Sequence, residues 1–364
     1  MEKIIKAAVK RGASDLHIKA GDVFRARVNG ELVPLTKQRL TPDQTRAIAL
    51  KLITSEGARR RIDELQDYDC SWGMPGVGRF RVNILRQRSS FMVVMRVIPF
   101  EVPSLASLGA PEALGPMADA DRGLVLIAGG GGTGKSSTVA GLIDHINRTR
   151  HRHIVTIENP IEFLHRDLKS SVTQREVGID TDSITTGLHA ALRQDPDIIV
   201  IGDLPDGETL ETALIAAETG LLVISSMATA DVATTLERLL SMLAPEERDI
   251  GRVRLAEMLV GVVAQRLLPR ADGEGRVPAF EVLVTSEEVK NAVKAGDPED
   301  LRPLMEEDSA QLGMQTFQAE IVEFLSEGIV DERTAAAAGV VSPPKRRAPR
   351  RKTRSSTKRT DGPS

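Results

Sequence analysis

The chain has few of the residues that mark secreted, membrane-spanning or base-stacking proteins. Its 364 residues include one cysteine, Cys70, so no intrachain disulfide can form, and this suits a reducing compartment. Aromatic residues are scarce, with one Trp, one Tyr and eight Phe. No apolar run approaches the ~20 residues of a membrane span, and no N-terminal signal pattern is present. We therefore predict a cytoplasmic protein that meets a membrane only through partners.

The net charge of -3 combines an acidic body with a basic tail. Residues 341–364 hold nine Lys or Arg and one Asp, a net of +8, which leaves -11 for the other residues. The tail has no apolar periodicity, so we predict that it is disordered. It is either a solubilising appendage or a segment that touches anionic lipid or nucleic acid.

The most specific motif is a glycine-rich phosphate loop. Residues 129–136, GGGGTGKS, fit the pattern G-x-x-x-x-G-K-[ST]. A strand-like apolar run precedes the loop and a helical pattern follows it, which argues against a chance match. Glycines let backbone N–H groups converge on phosphates, Lys135 reaches the β- and γ-phosphates, and Ser136 contributes to Mg²⁺ binding. The predicted nucleotide-binding residues are Gly129, Gly132, Thr133, Gly134, Lys135, Ser136 and Ser137.

The order of predicted elements indicates an α/β protein of two main domains. The N-terminal part shows hairpins and a helix with a capping box at Thr41 and Gln44, so it reads as a small α+β domain. A proline-rich linker follows, and strands then alternate with helices, as in a parallel sheet covered on both faces. The predicted boundaries are 1–100 for the N-terminal domain, 101–118 for the linker, 119–285 for the phosphate-loop core, 286–340 for a helical part and 341–364 for the tail.

Two hairpins are predicted in the N-terminal domain. Asn29-Gly30 is a type I′ turn signal, and a second hairpin joins 77–85 to 91–98. In the first strand of the second hairpin the alternation places Phe80 on the buried face. Arg79 and Arg81 share the opposite, solvated face.

Acidic residues follow two of the predicted core strands. Asp203 ends the apolar run 198–201, and Glu158 and Glu162 flank Asn159-Pro160 after another strand. Such carboxylates are commonly helix caps or solvated loop residues. At strand ends beside a phosphate loop, however, they belong in the crevice where these sheets bind ligands. We therefore predict that Asp203 organises Mg²⁺ and that Glu158 or Glu162 polarises water.

These residues belong to a longer series of ordered matches between positions 12 and 339. The series resembles the secretion-ATPase superfamily and, within it, the type IV pilus retraction ATPase family, the PilT family. The matching segments, besides the phosphate loop, are GASDLHI at 12–18, GRFRVN at 78–83, TIENPIEF at 156–163, QREVG at 174–178, ALRQDPDIIVIGD at 191–203, AAETG at 216–220 and LGMQTF at 312–317.

The resemblance implies a PAS-like N-terminal domain and a RecA-like P-loop core with a parallel sheet. It implies ATP and Mg²⁺ as ligands, with nucleotide at the subunit interfaces of a hexameric ring formed by this chain or mixed with a paralogous ATPase. The ring would sit at the inner-membrane face of a pilus machine, against its platform protein. By resemblance Glu162 matches the catalytic glutamate, Asp203 the Walker B carboxylate, and Arg81 and Arg96 the arginines that reach the phosphates.

Several positions depart from the family pattern. The acidic box reads Glu158-Asn159-Pro160 where the family has Glu-Asp-Pro, and an amide cannot accept hydrogen bonds as a carboxylate does. The other departures are Asp203 for Glu, Pro205 and Lys290 for Arg, Leu221 and Ala228 for the two histidines of the His box, and Gly130 for Pro. We therefore expect nucleotide binding to be retained and hydrolysis to be weakened.

Two functions remain open at this point. One is a motor ATPase of the pilus retraction type, favoured by Lys135, Ser136, Glu162 and Arg81. The other is a regulatory or structural ring subunit that binds nucleotide beside an active paralogue, favoured by the missing histidines and Pro205. No specific nucleic-acid partner is expected, because the body offers neither a basic groove nor stacking aromatics.

Overall fold

The computed structural model describes residues 1–28, 30–98, 101–296, 301–307 and 312–340. Asn29 of the predicted type I′ turn and the predicted basic tail lie outside these ranges. The described residues divide into two compact units, the first within 1–267 and 278–317 and the second comprising 268–277 and the described residues from 318 onward. The domain boundaries drawn from the sequence stay predictions.

The N-terminal residues form an antiparallel sheet with the order β3-β2-β1-β6-β5-β4. Its strands are β1 (Ala13–Lys19), β2 (Arg25–Val28), β3 (Glu31–Pro34), β4 (Asp67–Met74), β5 (Gly78–Gln87) and β6 (Ser90–Ile98). The helices of this part are α1 (Glu2–Lys10), α2 (Pro42–Leu52) and α3 (Glu56–Arg60). A short 3-10 turn spans Ile62–Glu64.

Local sequence signals determine these elements. The Thr41 hydroxyl accepts from the Gln44 backbone N–H and the Gln44 side chain accepts from the Thr41 N–H, so the predicted capping box is confirmed. The predicted hairpin of β5 and β6 is confirmed as well. Phe80 on β5 is fully buried while Arg81 is exposed, as the alternation requires.

The second sheet has seven strands in the order β13-β12-β7-β11-β10-β8-β9, and the six from β12 to β9 run parallel. Its strands are β7 (Gly123–Ala128), β8 (His153–Glu158), β9 (Ser171–Glu176), β10 (Ile198–Ile201), β11 (Leu222–Met227), β12 (Leu259–Pro269) and β13 (Arg276–Val284). The accompanying helices are α4 (Leu114–Ala118), α5 (Lys135–Thr149), α6 (Ile184–Ala191), α7 (Gly207–Glu218), α8 (Val232–Met242) and α9 (Arg248–Met258). The predicted α/β fold with a largely parallel sheet is confirmed.

The C-terminal helices follow β13. They are α10 (Glu287–Ala295), α11 (Leu301–Glu307), α12 (Phe317–Ser326) and α13 (Glu332–Ala337). The Ser286 hydroxyl accepts from the Val289 N–H at the start of α10, and Gly296 ends that helix at φ +82°. Because serine at the N-cap and glycine in the left-handed conformation are strong helix boundaries, these two residues set the limits of α10.

Two hydrophobic cores underlie the two sheets. The first surrounds Phe80, and the second packs α5 and Phe280 against the buried parallel strands. On α5, Leu142, Ile143 and Ile146 are almost wholly buried. This packing holds the amino end of α5 at the carboxyl edge of the sheet, where the phosphate loop lies.

No helix in the part of the chain that the structure describes is both long enough and apolar enough to cross a membrane.

The first core yields a stability prediction. Phe80 is fully buried and its ring lies 5.7 Å from that of Trp72, the chain's single tryptophan. Phe80→Ala should lower the free energy of unfolding by about 3–5 kcal/mol, because it removes transfer energy and leaves a cavity. Urea unfolding followed by Trp72 fluorescence measures it. Leu32→Ala, at a side chain 40% exposed, is the control and should change stability little. Equal midpoints for both variants would contradict this core assignment.

Candidate nucleotide-binding and catalytic site

The phosphate loop connects the buried strand β7 to the first turn of α5. Three of its glycines have positive φ, with Gly129 at +153°, Gly132 at +72° and Gly134 at +97°. At Gly129 a Cβ atom would lie 2.5 Å from the Thr133 hydroxyl and 2.7 Å from the Gln265 carbonyl oxygen. A side chain would therefore not fit where the loop leaves the strand. The compact turn leaves backbone N–H groups at the amino end of α5, which favours an anion.

Lys135 lies folded onto this loop. Its Nζ donates to the carbonyl oxygens of Gly129 at 2.7 Å and Gly130 at 2.9 Å. Burial lowers the pKa of Lys135, and the negative charges of Asp203 and Glu162 oppose that shift. A phosphate would offer the ammonium charged acceptors, which make stronger hydrogen bonds than these carbonyls.

The structure brings four of the predicted site residues to one cavity at the carboxyl edge of the parallel sheet. Ser136 comes from α5, Asp203 follows β10, and Glu158 and Glu162 come from the end of β8 and the loop after it. Residues 159–165, which follow β8, are called the acidic loop below. Ligands bind at this edge in open α/β sheets. The individual roles of the four residues stay predictions.

The two acids nearest the strand ends are partly desolvated. Burial raises the pKa of Glu158, although hydrogen bonds from the Thr156 hydroxyl at 2.6 Å and the Gln174 amide at 3.0 Å oppose the shift. Desolvation by neighbouring atoms likewise raises the pKa of the Asp203 carboxyl, while a hydrogen bond from the Leu204 N–H and the charges of Lys135 and Arg238 lower it. Positive charge therefore favours the ionised form of Asp203 in this cavity.

The same cavity contains ligands suited to Mg²⁺. Ser136 and Asp203 both line it, and among the described residues no group of three or more His, Cys, Asp or Glu could hold a metal ion. A hydroxyl and one carboxylate fit Mg²⁺ in such a site, because this ion takes its other ligands from substrate phosphates and water.

The two predicted arginines are brought together, but on the N-terminal sheet and not in the cavity. Arg81 and Arg96 lie directly opposite each other in the β5–β6 ladder. Arg96 donates to Asp15 at 2.9 Å. Arg81 is exposed, and within the described ranges its side chain makes no hydrogen bond or ion pair. Asp15 pairs with Arg96, so the charge of Arg81 has no ion-pair partner among the described residues. Their contact with phosphate stays a prediction.

Gln265 on β12 supports the phosphate loop and was missed by sequence reasoning. Its side-chain Nε2 donates to the Thr133 carbonyl oxygen at 2.7 Å, and the residue is 2% exposed. A Cβ atom on Gly134 would lie 2.9 Å from the same Nε2. The loop therefore lies against this amide. No local pattern could reveal the contact, since 132 residues separate the two partners.

Gln174 on β9 holds the acidic loop and was also missed as a site residue. Its Nε2 donates to Glu158 at 3.0 Å and to the Phe163 carbonyl oxygen at 2.9 Å. Its Oε1 accepts from the His165 N–H at 2.9 Å. Gln174 is the first residue of the QREVG segment that matches the family, but the resemblance implies no role for its side chain. One amide on β9 thus binds both the last residue of β8 and the C-terminal part of the acidic loop.

His165 adds a neutral imidazole to the cavity wall. Burial lowers its pKa to about 4. The ring is therefore uncharged near neutral pH and adds no positive charge beside the carboxylates.

The departures from the family pattern lie in different parts of the fold. Asn159 and Asp203 line the cavity. Leu221 instead precedes β11 and lies at the amino end of that strand, beside Ile215. Lys290 is on α10, where it pairs with Glu287 at 2.7 Å. Strand direction and helix position thus place Leu221 and Lys290 away from the cavity of their own chain.

A glycine loop between a buried parallel strand and a helix, with lysine and serine at the helix start and acids at neighbouring strand ends, defines a P-loop nucleoside triphosphatase. Residues 1–335 match the sequence family described as "Type II/IV secretion system protein". The chain belongs to this family, and within it to the PilT-type secretion ATPases.

Two relatives from Pseudomonas aeruginosa are each 36% identical to this chain. One is described as "Type IV pilus ATPase PilU", with the match covering 92% of this chain and 87% of the relative. The other is "Type IV pilus retractation ATPase PilT", with 92% and 96% covered. A Neisseria gonorrhoeae relative, "Twitching motility protein", is 34% identical over 85% of this chain and 82% of its own length.

Solved structures show the same fold. The crystal structure of the pilus retraction motor PilT with bound ADP superposes with a TM-score of 0.85 at 38% identity, covering 94% of this chain and 97% of that one. The Legionella pneumophila ATPase DotB gives 0.76 at 29% identity, with 93% and 95% covered. The predicted membership of the PilT family is confirmed.

The Gln265 contact yields a binding prediction. Gln265→Met keeps the length of the side chain but removes the donor to Thr133, so the phosphate loop should be less well ordered before nucleotide arrives. A lost hydrogen bond of about 1 kcal/mol corresponds to roughly fivefold weaker binding. Calorimetric titration with ADP measures the change.

Gln315→Met is the matched control for that titration. Gln315 donates in the same way to the Phe280 carbonyl oxygen at 3.0 Å, far in sequence from the phosphate loop. The control should keep wild-type affinity. Equal losses in both variants would mean that Gln265 acts on general stability alone.

Proposed function

We propose that this protein is a type IV pilus motor ATPase of the retraction, or twitching-motility, type, with weakened hydrolysis. The observation that carries the proposal is the convergence of Ser136, Glu162 and Asp203 on one cavity beside Lys135. The names of the PilT, PilU and twitching-motility relatives support the pilus assignment.

Each cavity residue then has a distinct task. The loop N–H groups and Lys135 hold the β- and γ-phosphates of ATP. Ser136 and Asp203 would hold Mg²⁺, and the ion would supply positive charge next to the phosphate oxygens. Glu162 is exposed to solvent next to the cavity, so it can orient or deprotonate the attacking water. Glu158, which accepts hydrogen bonds from Thr156 and Gln174, positions the start of the acidic loop.

The active unit is proposed to be a ring, either a homo-hexamer or a mixed ring with a paralogous ATPase. Arg81 and Arg96 lie outside the cavity of their own chain, and Arg81 is exposed and unpaired within the described ranges. Such arginines are suited to reach phosphate when neighbouring elements close around nucleotide, in the manner of an arginine finger. The ring would act at the cytoplasmic face of the inner membrane on the pilus platform protein.

A regulatory ring subunit is the second candidate function. The observation that favours it is Asn159, which lines the cavity where the family has a carboxylate. An amide brings donors to a place where the family's acid accepts. Loss of one positioned group in an active site typically slows a reaction by ~10² to 10³. Such a subunit would bind nucleotide and work beside an active paralogue.

Nucleotide binding should depend on Lys135. Lys135→Ala removes the cation that faces the phosphates but leaves the buried strand and helix intact. Affinity for ATP should fall by at least about tenfold, or 1.4 kcal/mol. Calorimetry measures it, with Lys51→Ala as control because Lys51 pairs with Glu2 on the protein surface at 2.6 Å. Equal affinity in the Lys135 variant and the wild type would remove the phosphate-loop assignment.

Restoring the family residues separates the two functions. In a weakened motor, Asn159→Asp combined with Asp203→Glu and Ala228→His should raise the rate of phosphate release at least about tenfold. The carboxylate at 159 would again accept hydrogen bonds, and the longer acid at 203 would again reach Mg²⁺. Glu162→Gln should abolish release from the same protein. Steady-state phosphate release is the measurement, with nucleotide affinity as a check that each variant still binds.

A regulatory subunit would respond differently to the same set of variants. Its wild type, its triple restoration and its Glu162→Gln variant would all release phosphate at one background rate while still binding ATP. That result would exclude the motor function for this protein.

A further inference from the structure

A buried carboxylate, Glu176, connects the N-terminal sheet to the acidic loop. Its Oε2 accepts from Arg79 Nη2 at 2.5 Å and from the Ile161 backbone N–H at 3.2 Å. Arg79 belongs to β5 and Glu176 ends β9, so 97 residues separate the ion pair. One oxygen atom therefore contacts both the strand that carries Arg81 and the loop that carries Glu162.

The ion pair is protected from water. Side-chain exposure is 23% for Arg79 and 3% for Glu176. Burial of a carboxylate is unfavourable unless it is paired, and removal of one partner from a buried pair leaves an uncompensated charge. Arg79 is the only cation that pairs with Glu176 in the described part of the chain. The position of Arg79 therefore decides whether this carboxylate is neutralised.

Several hydrogen bonds hold the backbone around Glu176 in a turn. Its N–H donates to Asp180 at 2.8 Å, and its carbonyl oxygen accepts from the N–H groups of Ile179 at 3.2 Å and Asp180 at 2.8 Å. The tight turn after β9 fixes the backbone that carries the Glu176 carboxylate. If the hydrogen bonds of that carboxylate change, the groups that must move are its hydrogen-bond donors. Those donors are Arg79 and the amide of Ile161.

Both partners are adjacent to residues proposed for the reaction. Arg79 and Arg81 lie two residues apart on β5 and project from the same face of the sheet. Ile161 directly precedes Glu162 and is 2% exposed. A displacement of β5 relative to the parallel sheet would thus move Arg81. It would also change the ion pair of Arg79 with Glu176, the carboxylate that accepts from the Ile161 N–H next to Glu162.

We infer that Glu176 is a positioning residue that couples docking of the N-terminal sheet to the placement of Glu162. With Arg79 docked, the neutralised carboxylate holds the Ile161 amide and fixes the acidic loop. With Arg79 withdrawn, the carboxylate requires water, and its hold on the loop loosens. The inference rests on the proposed ATPase function for the role of Glu162, but the coupling itself can be measured without nucleotide.

Hydrogen exchange of nucleotide-free full-length protein tests the coupling directly. Arg79→Gln should speed exchange of the Ile161 amide about tenfold, since the hydrogen bond loses the charge balance that supports it. Arg46→Gln is the matched control, because Arg46 forms an ion pair with Asp63 at 2.7 Å within the N-terminal part. Exchange at Ile161 should stay at the wild-type rate in that control. An unchanged rate in Arg79→Gln would overturn the inference.

A double-mutant cycle separates coupling from loss of structure. Glu176→Gln keeps an acceptor for the Ile161 amide but removes the charge that Arg79 neutralises. In that background Arg79→Gln should change the exchange rate no further, whereas independent effects would add. Additive effects would show that the two residues act separately and would overturn the inference.

Turnover gives the second readout. If the wild type hydrolyses ATP, Arg79→Gln should lower kcat severalfold while KM for ATP stays within about twofold, since Arg79 contacts Glu176 and does not line the cavity. A rise in KM at constant kcat would overturn the positioning role. A wild type without turnover would refute the proposed function alone, because the exchange measurement would still decide the coupling.

Discussion

The site depends on the hydrogen-bonded register of the parallel strands at their carboxyl ends. The ladder continues beyond the strands, with the Gly202 N–H donating to Ile157 at 2.8 Å and the Gly129 N–H donating to Met227 at 3.1 Å. Loops that leave neighbouring strands therefore start from fixed points a few ångströms apart. The loops of Lys135 and Asp203 leave β7 and β10 on either side of β11, and the charges of the two side chains act on each other.

This convergence creates an imbalance of charge. Glu158, Glu162 and Asp203 share one cavity, and a nucleotide would add further negative charge. Within the chain, Lys135 and Arg238 are the cations whose charges act on Asp203. A polyphosphate therefore needs additional positive charge, from a metal ion or from arginines carried by another sheet. The exposed cationic face around Arg81 is consistent with that need.

Sequence reasoning recovered what local patterns determine and missed what the fold brings together. The phosphate loop, the capping box at Thr41 and the limits of α10 follow from adjacent residues, so they could be predicted. The hydrogen bond from Gln265 to Thr133 joins positions that are far apart in the sequence, so it could not be predicted from local patterns. Strand direction also mattered. The sequence alone does not show which end of β11 lies at the cavity, so it could not show that Leu221 lies at the opposite end.

The departure at Asn159 is best understood against the contacts that shape the acidic loop. Gln174 binds Glu158 just before the loop and Phe163 and His165 in its C-terminal part, and Glu176 accepts from the amide of Ile161. None of these contacts uses the side chain of residue 159, so the loop can keep its course whether that residue is an acid or an amide. An effect of Asn159 on hydrolysis would therefore be chemical and not architectural. A chain with an amide there can keep Glu162 at the cavity, so the proposed weakened hydrolysis and the proposed nucleotide binding are compatible in one protein.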